Sequence, residues 1–425
     1  MRARLPAAAM AIGLLVSFGL CFFLIAQVAL SRPSAPGPTP TPDISATPST
    51  PLRAGLSASP TVAMSILQRI RPEALPEGVN VEVVASDLDR PVAFAVAPDG
   101  RIFFTEKETG RVRAIVNDAL LPDPVLTLPV AIHAEQGLLG IAVDPDFESN
   151  HHLWVFHSLP ARANGGVKVN RVVRFTERNN TGIDATAVFT SPNSEGDGTH
   201  NAGNLHFGPD GKLYVSIGED NQSYLAQRLD DPRGKILRFN PSVPLTAPED
   251  NPFYDGDGPN VDGIYTYGHR NPFDFTFDPL SEGVRIFVSE NGPGCDDEIN
   301  RLVPGYNYGW HSDYQCDDER DLDPARNTIA PMLFWTPPSA PAGITVYAGD
   351  DIPEWYGDVF FCSYIDATLH HLKLNAPRDA FVSHTAISGM FCQTDVFTGP
   401  DGGLYFVEGG GFEQGTLKRL VRRAP

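Results

Sequence analysis

The sequence predicts an all-β protein, a six-bladed β-propeller of four-stranded antiparallel blades, and three observations carry that expectation. One hairpin phrase recurs six times between Ala95 and Gly411. Its copies are spaced by roughly 45 to 75 residues, which leaves room for four strands and their loops and is too long for a solenoid coil. Gly and Pro number 39 each, the density that many tight turns between short strands require.

The first copy is AVAPDGRIFFTEK, starting at Ala95. Pro presets φ at the second turn position, Asp-Gly tolerates the turn, and the flanks alternate with period two, so it reads as strand, turn, strand. AVDPDFESNHHLWVFHS from Ala142, HFGPDGKLYVSIGED from His206, TFDPLSEGVRIFVSENG from Thr276 and FTGPDGGLYFVEGGG from Phe397 repeat the phrase. The fifth copy in chain order, YAGDDIPEWYGDVFFCSY from Tyr347, keeps the flanks and lacks the Pro-Asp-Gly turn. A Greek-key sandwich would not repeat one hairpin so evenly.

Ahead of the repeats, Arg2 and Arg4 precede an uncharged apolar stretch from Leu5 to Leu30. At about 1.5 Å per residue it is long enough to cross a bilayer. Residues 1–30 are therefore expected to be a signal anchor, with a cleaved signal peptide as the alternative. Residues 31–72 are rich in Pro, Ser and Thr over their first half and read as a linker, and 73–425 as the propeller. The chain should be exported and held on the outer face of a membrane, or secreted after cleavage.

Lys and Arg number 32 against 52 Asp and Glu, a formal charge of -20. That balance repels phosphate backbones and argues against nucleic acid as a partner. Cys295 and Cys316 bracket one long loop, while Cys362 and Cys392 are placed on the hairpins of neighbouring blades. Disulfides in those pairings suit an oxidising compartment, although four cysteines allow three connectivities.

Three segments could carry chemistry. His200, in GTHNAGNLHFGPDGKLYVSIGED, lies on the loop before a blade strand between Gly198 and Gly203, where a loop-lined propeller mouth would hold an imidazole able to take a proton near neutral pH. The plainer reading is a histidine capping a turn. In YGHRNPFDF, Arg270 and Asn271 precede a proline and present a stiff fork of donors suited to a carboxylate or quinone oxygen, unless the arginine is simply paired to a nearby acid. In SENGPGCDDEINRLVPGYNYGW, a Gly-Pro loop with Asp296, Asp297 and Glu298 offers hard oxygen ligands for calcium without EF-hand spacing.

Together with LDRPVAFAVAPDGRIFFTE, EQGLLGIAVDPDF and GKILRFNP, these segments resemble the soluble glucose/sorbosone dehydrogenases that depend on pyrroloquinoline quinone (PQQ), over most of Pro76 to Leu420. The resemblance implies an oxidoreductase that passes hydride from an aldose-type sugar to PQQ with bound calcium, and then to an external electron acceptor. It implies His200 as the base with Glu219, where the family has aspartate, orienting it, and Arg270 and Asn271 on the quinone oxygens. Gln136 and Asp297 fall near the cofactor, and the carbonyls of Gly292 and Pro293 on its calcium. Glu298 and the Tyr308 carbonyl match a second calcium found in some relatives. The family's three cations for the cofactor's carboxylates align with Ile365, Cys392 and Thr394. That departure supports an alternative, a non-catalytic carbohydrate- or protein-binding propeller that has lost quinone binding. A propeller hydrolase using a metal-bound water has only the acidic loop behind it.

Overall fold

The computed structural model describes residues 70–257, 262–316 and 327–423, together with the backbone of the short strand Met64–Ser65. The apolar stretch from Leu5 to Leu30 lies outside these residues, and none of the described helices is long and apolar enough to cross a membrane.

Six sheets succeed one another along the chain. The first blade is built from Pro91–Val96, Ile102–Glu106, Arg111–Val116 and Ala119–Leu120, with Leu126–Thr127 also pairing to its third strand. The second holds Leu138–Val143, His152–Leu159, Val169–Arg178 and Thr181–Thr190, and the third Ala202–Phe207, Leu213–Ile217, Lys235–Phe239 and Ile264–Tyr267. The fourth contains Pro272–Phe277, Ile286–Glu290, Asp297–Arg301 and Leu333–Trp335, the fifth Pro341–Val346, Val359–Ser363, Thr368–Leu374 and Phe381–Phe391. The sixth takes Val396–Thr398, Leu404–Gly409 and Gly415–Arg422 from the end of the chain and its outer strand, Val79–Leu88, from the start. That exchange ties the two ends of the propeller sequence together through a ladder of backbone hydrogen bonds within the sixth blade, which closes the ring.

Each repeated phrase forms the two inner strands of a blade, and the Pro-Asp-Gly copies share one turn. The glycine N–H of Gly100, Gly211 and Gly402 donates to the carbonyl of Ala97, Gly208 and Gly399 at 2.9, 2.9 and 3.1 Å. Each of these glycines has φ between 69° and 84°, a conformation a side chain would strain. The turn aspartates then accept a backbone N–H two residues on, as Asp99 does from Arg101 at 3.1 Å. In the fifth copy a 3-10 turn over Pro353–Trp355 takes the place of this turn, and the hairpin still forms.

The linker expected over 31–72 contributes strands. Arg71–Glu73 runs parallel to the outer strand of the fifth blade, across the expected boundary at 73, and Met64–Ser65 runs parallel to Leu333–Phe334 of the fourth.

The apolar core lies between blades. Trp154 and Phe156 of the second pack with Val215, Ile217 and Phe239 of the third, and Trp355 and Phe360 of the fifth with Val396, Leu404 and Phe406 of the sixth. Truncating one of these aromatics to Ala removes a large buried volume and costs about 3–5 kcal/mol. Buried carboxylates tie the innermost strands together: Asp395 accepts from the Phe94 N–H at 2.7 Å, and Asp274 from the Ile344 N–H at 3.0 Å.

The cysteines pair as Cys295–Cys316 and Cys362–Cys392, with Cα atoms 5.9 and 4.9 Å apart. Their placement corrects one expectation. Cys362 sits on the second strand of the fifth blade and Cys392 directly after the outer strand of that same blade, because that strand runs 11 residues, to Phe391, before the chain crosses to the sixth.

Candidate functional site

The inner strands of all blades start, and the second strands end, at one end of the propeller, so the segments that precede and follow the repeated hairpins meet there. They surround a cavity with about 760 Å³ of space not filled by protein, open to solvent. Asn271 and Asn291 of the fourth blade, Ala202 and Asn204 of the third and Glu135 leading into the second form one side. Lys107 of the first blade, Tyr364 of the fifth, and Thr394 and Phe412 of the sixth form the other.

His200 stands on the loop before the third blade with a left-handed φ of 54°. Its N–H donates to Glu135 at 2.7 Å, and its ring Nδ1 pairs with the Glu219 carboxylate. Glu219 is a fully buried acceptor that follows the second strand of the blade, and Gly218 brings it there: a Cβ on Gly218 would lie 2.1 Å from the His200 carbonyl oxygen. A carboxylate partner fixes Nδ1 as the donor and leaves the Nε2 lone pair outward. Among the described residues Nε2 has no hydrogen-bond partner.

The third and fourth blades are stitched together around this pair. The Glu219 N–H donates to the Arg270 carbonyl at 2.9 Å, and Asn271 Oδ1 accepts from the Ala202 N–H at 3.0 Å. Glu290 accepts from the Arg270 N–H at 2.6 Å and from His269 Nδ1 at 2.7 Å, so its charge holds the Arg-Asn loop in place. The Arg270 guanidinium donates to the Asn291 carbonyl at 2.9 Å and lies over the Trp310 ring at 5.4 Å. Burial pulls its pKa down against the pull of the surrounding carboxylates.

Next to Arg270 a smaller cavity is lined by Glu290, Gly292, Pro293, Asp296, Glu298 and Tyr308. Gly292, Pro293, Glu298 and Tyr308, singled out from sequence, all reach it. Gly292 is packed so closely that a Cβ would lie 1.9 Å from the Cys295 carbonyl oxygen. Asp297 is turned away: its oxygens accept from the N–H groups of Gly292, Ser339 and Ala340 at 2.9, 2.6 and 2.7 Å. Burial raises its pKa to about 6 in spite of those donors.

Several polar atoms here are buried without a partner: Arg270 Nε, Trp310 Nε1, Glu219 Oε2, Asn300 Oδ1 and Thr394 Oγ1. Such orphans are costly in a folded protein and concentrate where a polar group is meant to bind. The donors Arg270 and Asn271 fit the oxygens of an ortho-quinone, and the carbonyls and carboxylates of the smaller cavity fit a hard divalent cation.

Gln136 does not line either cavity. Its neighbour Glu135 does, and sequence reasoning missed it, as it missed Glu290, Asn291 and Lys107. A signal was present in the repeat itself. Lys107, Asn291, Tyr364 and Gly410 each directly follow the second strand of a hairpin phrase, and Glu219 follows by two, so this position recurs at the mouth.

The family profile described as Glucose / Sorbosone dehydrogenase matches residues 88–419. The aldose sugar dehydrogenase YliI of Escherichia coli (strain K12) is 30% identical over 342 residues, covering 78% of this chain and 90% of the relative. Quinoprotein glucose dehydrogenase B of Acinetobacter calcoaceticus is 30% identical over 263 residues, 56% of this chain and 53% of the relative. The PQQ-bound aldose sugar dehydrogenase of Streptomyces coelicolor superposes with a TM-score of 0.66 at 25% identity, over 81% of this chain and 99% of the other. A propeller closed by its own N-terminal strand, a histidine–carboxylate pair beside an Arg-Asn loop, and a match across nearly the whole ring place the chain in the glucose/sorbosone dehydrogenase family.

Proposed function

We propose that the chain is an exported dehydrogenase that oxidises aldose-type sugars with PQQ and calcium and passes the electrons to an external acceptor. The observation that carries this reading is His200: its Nδ1 is held by Glu219, its Nε2 is without a partner among the described residues, and Arg270 and Asn271 stand beside it. When bound, the quinone supplies a two-electron acceptor and calcium polarises its carbonyl.

The protein's own contribution is placement and proton handling. Nε2 of His200 takes the proton of the sugar hydroxyl, and the Glu219 carboxylate stabilises the imidazolium that results. Arg270 and Asn271 aim N–H donors at the oxygens that gain charge, in a buried setting where such donors act strongly. The carbonyls of Gly292 and Pro293 would hold the cofactor's calcium, with Glu298 and Tyr308 available to a second ion. Asp297 braces the Gly292 turn through three backbone N–H groups. The two disulfides support an oxidising compartment, and the apolar segment Leu5 to Leu30 would export or anchor the chain.

The test is direct. Purified protein given calcium and PQQ should acquire bound-quinone absorbance and reduce a dye in the presence of aldoses. Failure to bind at micromolar quinone would sink the reading. A second reading, a sugar- or protein-binding propeller without catalysis, draws on the far side of the cavity, where apolar side chains predominate. It predicts saturable ligand binding with no dye reduction.

A further inference from the structure

The far side of the cavity carries an anchor of its own. Of the positions aligned with the family's carboxylate-binding cations, Ile365 is 67% exposed and does not line the cavity, and Cys392 is buried in its disulfide. Thr394 does line it, with its Oγ1 buried and unpartnered. Lys107 lines it too, and among the described lining residues it is the single cation. Only 3% exposed, it points one N–H of Nζ at the Ala134 carbonyl, 2.7 Å away, and lies 4.1 Å from the centroid of the Phe412 ring. One hydrogen bond leaves two ammonium donors to be directed elsewhere. Gly410 and Gly411 keep the space beside Thr394 open: a Cβ on Gly410 would lie 2.9 Å from Thr394 Oγ1, and one on Gly411 3.4 Å from its methyl group.

Position in the ring bears on which part of a bound quinone would meet this side. Lys107 belongs to the first blade and Thr394 opens the sixth, whereas Asn271 and Arg270 open the fourth, which faces the first across a ring of six. A quinone with its carbonyl oxygens on Arg270 and Asn271 would extend its carboxylate-bearing end away from the fourth blade, toward the blades that carry Lys107 and Thr394. Among the described lining residues the one acid, Glu135, directly follows Ala134, and its carboxylate is engaged by the His200 N–H and Asn271 Nδ2.

We propose that Lys107, assisted by the Thr394 hydroxyl and roofed by Phe412, is the cationic anchor of the cavity and binds a carboxylate of the quinone. The assignment rests on the quinone reading above. It moves the cationic grip from the fifth and sixth blades to the first, where a buried ammonium gains a partner that repays its desolvation. Burial lowers the Lys107 pKa against the pull of Glu108 and Glu135.

The experiment is equilibrium titration of the calcium-loaded protein with PQQ, followed by quinone absorbance, and in parallel with phenanthrenequinone, which has the ortho-carbonyls and no carboxylates. Lys107→Met should weaken PQQ binding roughly ten- to a hundredfold, the range for one charge-assisted hydrogen bond, and leave phenanthrenequinone binding within about twofold. Thr394→Val should give a smaller loss in the same direction, roughly three- to tenfold. Unchanged PQQ affinity in Lys107→Met overturns the proposal while the enzyme reading stands. Equal loss of both quinones also overturns it, because Lys107 would then be only a structural tie to Ala134. If the unaltered protein binds no PQQ, the parent reading fails and this one with it.

Discussion

The two sides of the central cavity are built by different means. On the side of the third and fourth blades, every group is held by another: Glu219 holds His200, Glu290 holds Arg270, and Asn271 spans from Ala202 to Glu135. On the side of the first, fifth and sixth blades, Lys107, Tyr364, Thr394 and Phe412 stand among apolar residues, and the rigidity comes from a disulfide and glycine turns. Reacting atoms must be placed within fractions of an ångström, whereas a carboxylate needs only a charge within reach. The contrast fits the proposed division of labour, with chemistry on the first side and retention on the second.

The sharpest way to break that comparison is His200→Ala. Loss of the base should lower kcat by roughly 10²- to 10⁴-fold with PQQ affinity nearly unchanged, read from dye reduction and quinone titration on the same preparation. Parallel loss of both would make His200 structural. On the other side, Cys362→Ala with Cys392→Ala opens a crosslink spanning 30 residues that ends two residues before Thr394. It should lower unfolding free energy by about 2–4 kcal/mol in denaturant melts, and quinone affinity should fall more than kcat.

Glu219→Gln keeps the shape of the orienting group and removes its charge, so kcat should drop roughly ten- to a hundredfold, with KM for the sugar moving little. A change in KM alone would place Glu219 in substrate binding instead.

An effect on stability alone concerns the outer part of the fifth blade. Ser363 gives its one hydroxyl proton to Asp366, so His370 Nε2 donates to Ser363, and His370 Nδ1 accepts from His384 Nε2 at 3.0 Å. Burial holds His384 down at about 4 and His370 well below its ordinary value. An unfolded histidine takes a proton near pH 6.5 and the folded His384 does not, so stability contributed by this group is complete above that pH and declines toward pH 4. Relative to His384→Gln, the native protein should lose about 1.4 kcal/mol of stability per pH unit across that window, measured by urea melts at stepped pH. A difference that is flat with pH would mean the pair is charged when folded.

Much of this could be read from the chain. Ala97-Pro-Asp-Gly100, Gly208-Pro-Asp-Gly211 and Gly399-Pro-Asp-Gly402 determine their turns locally, since Pro fixes φ, Asp accepts the N–H two residues on, and Gly takes the left-handed position. Period-two alternation of the flanks then decides which face packs against the next blade. The same local logic placed His200, Arg270, Asn271 and Gly292 at loop ends near the mouth. Lys107 and Glu135 escaped notice because their immediate neighbours do not distinguish them; for Lys107 the only signal is the recurrence of the position after the hairpin from blade to blade.

What the sequence determined by itself is what short-range sterics and side-chain period can carry: six hairpins, their turns, their order, and hence a ring. What only the tertiary structure decided is which loop ends share a cavity, that Cys392 belongs to the fifth blade, and that a lysine from the first blade lines the same cavity as Asn271 and Asn291 of the fourth. Those facts depend on closure of the ring by Val79–Leu88, a pairing with Gly415–Arg422 across the length of the propeller that no local pattern specifies.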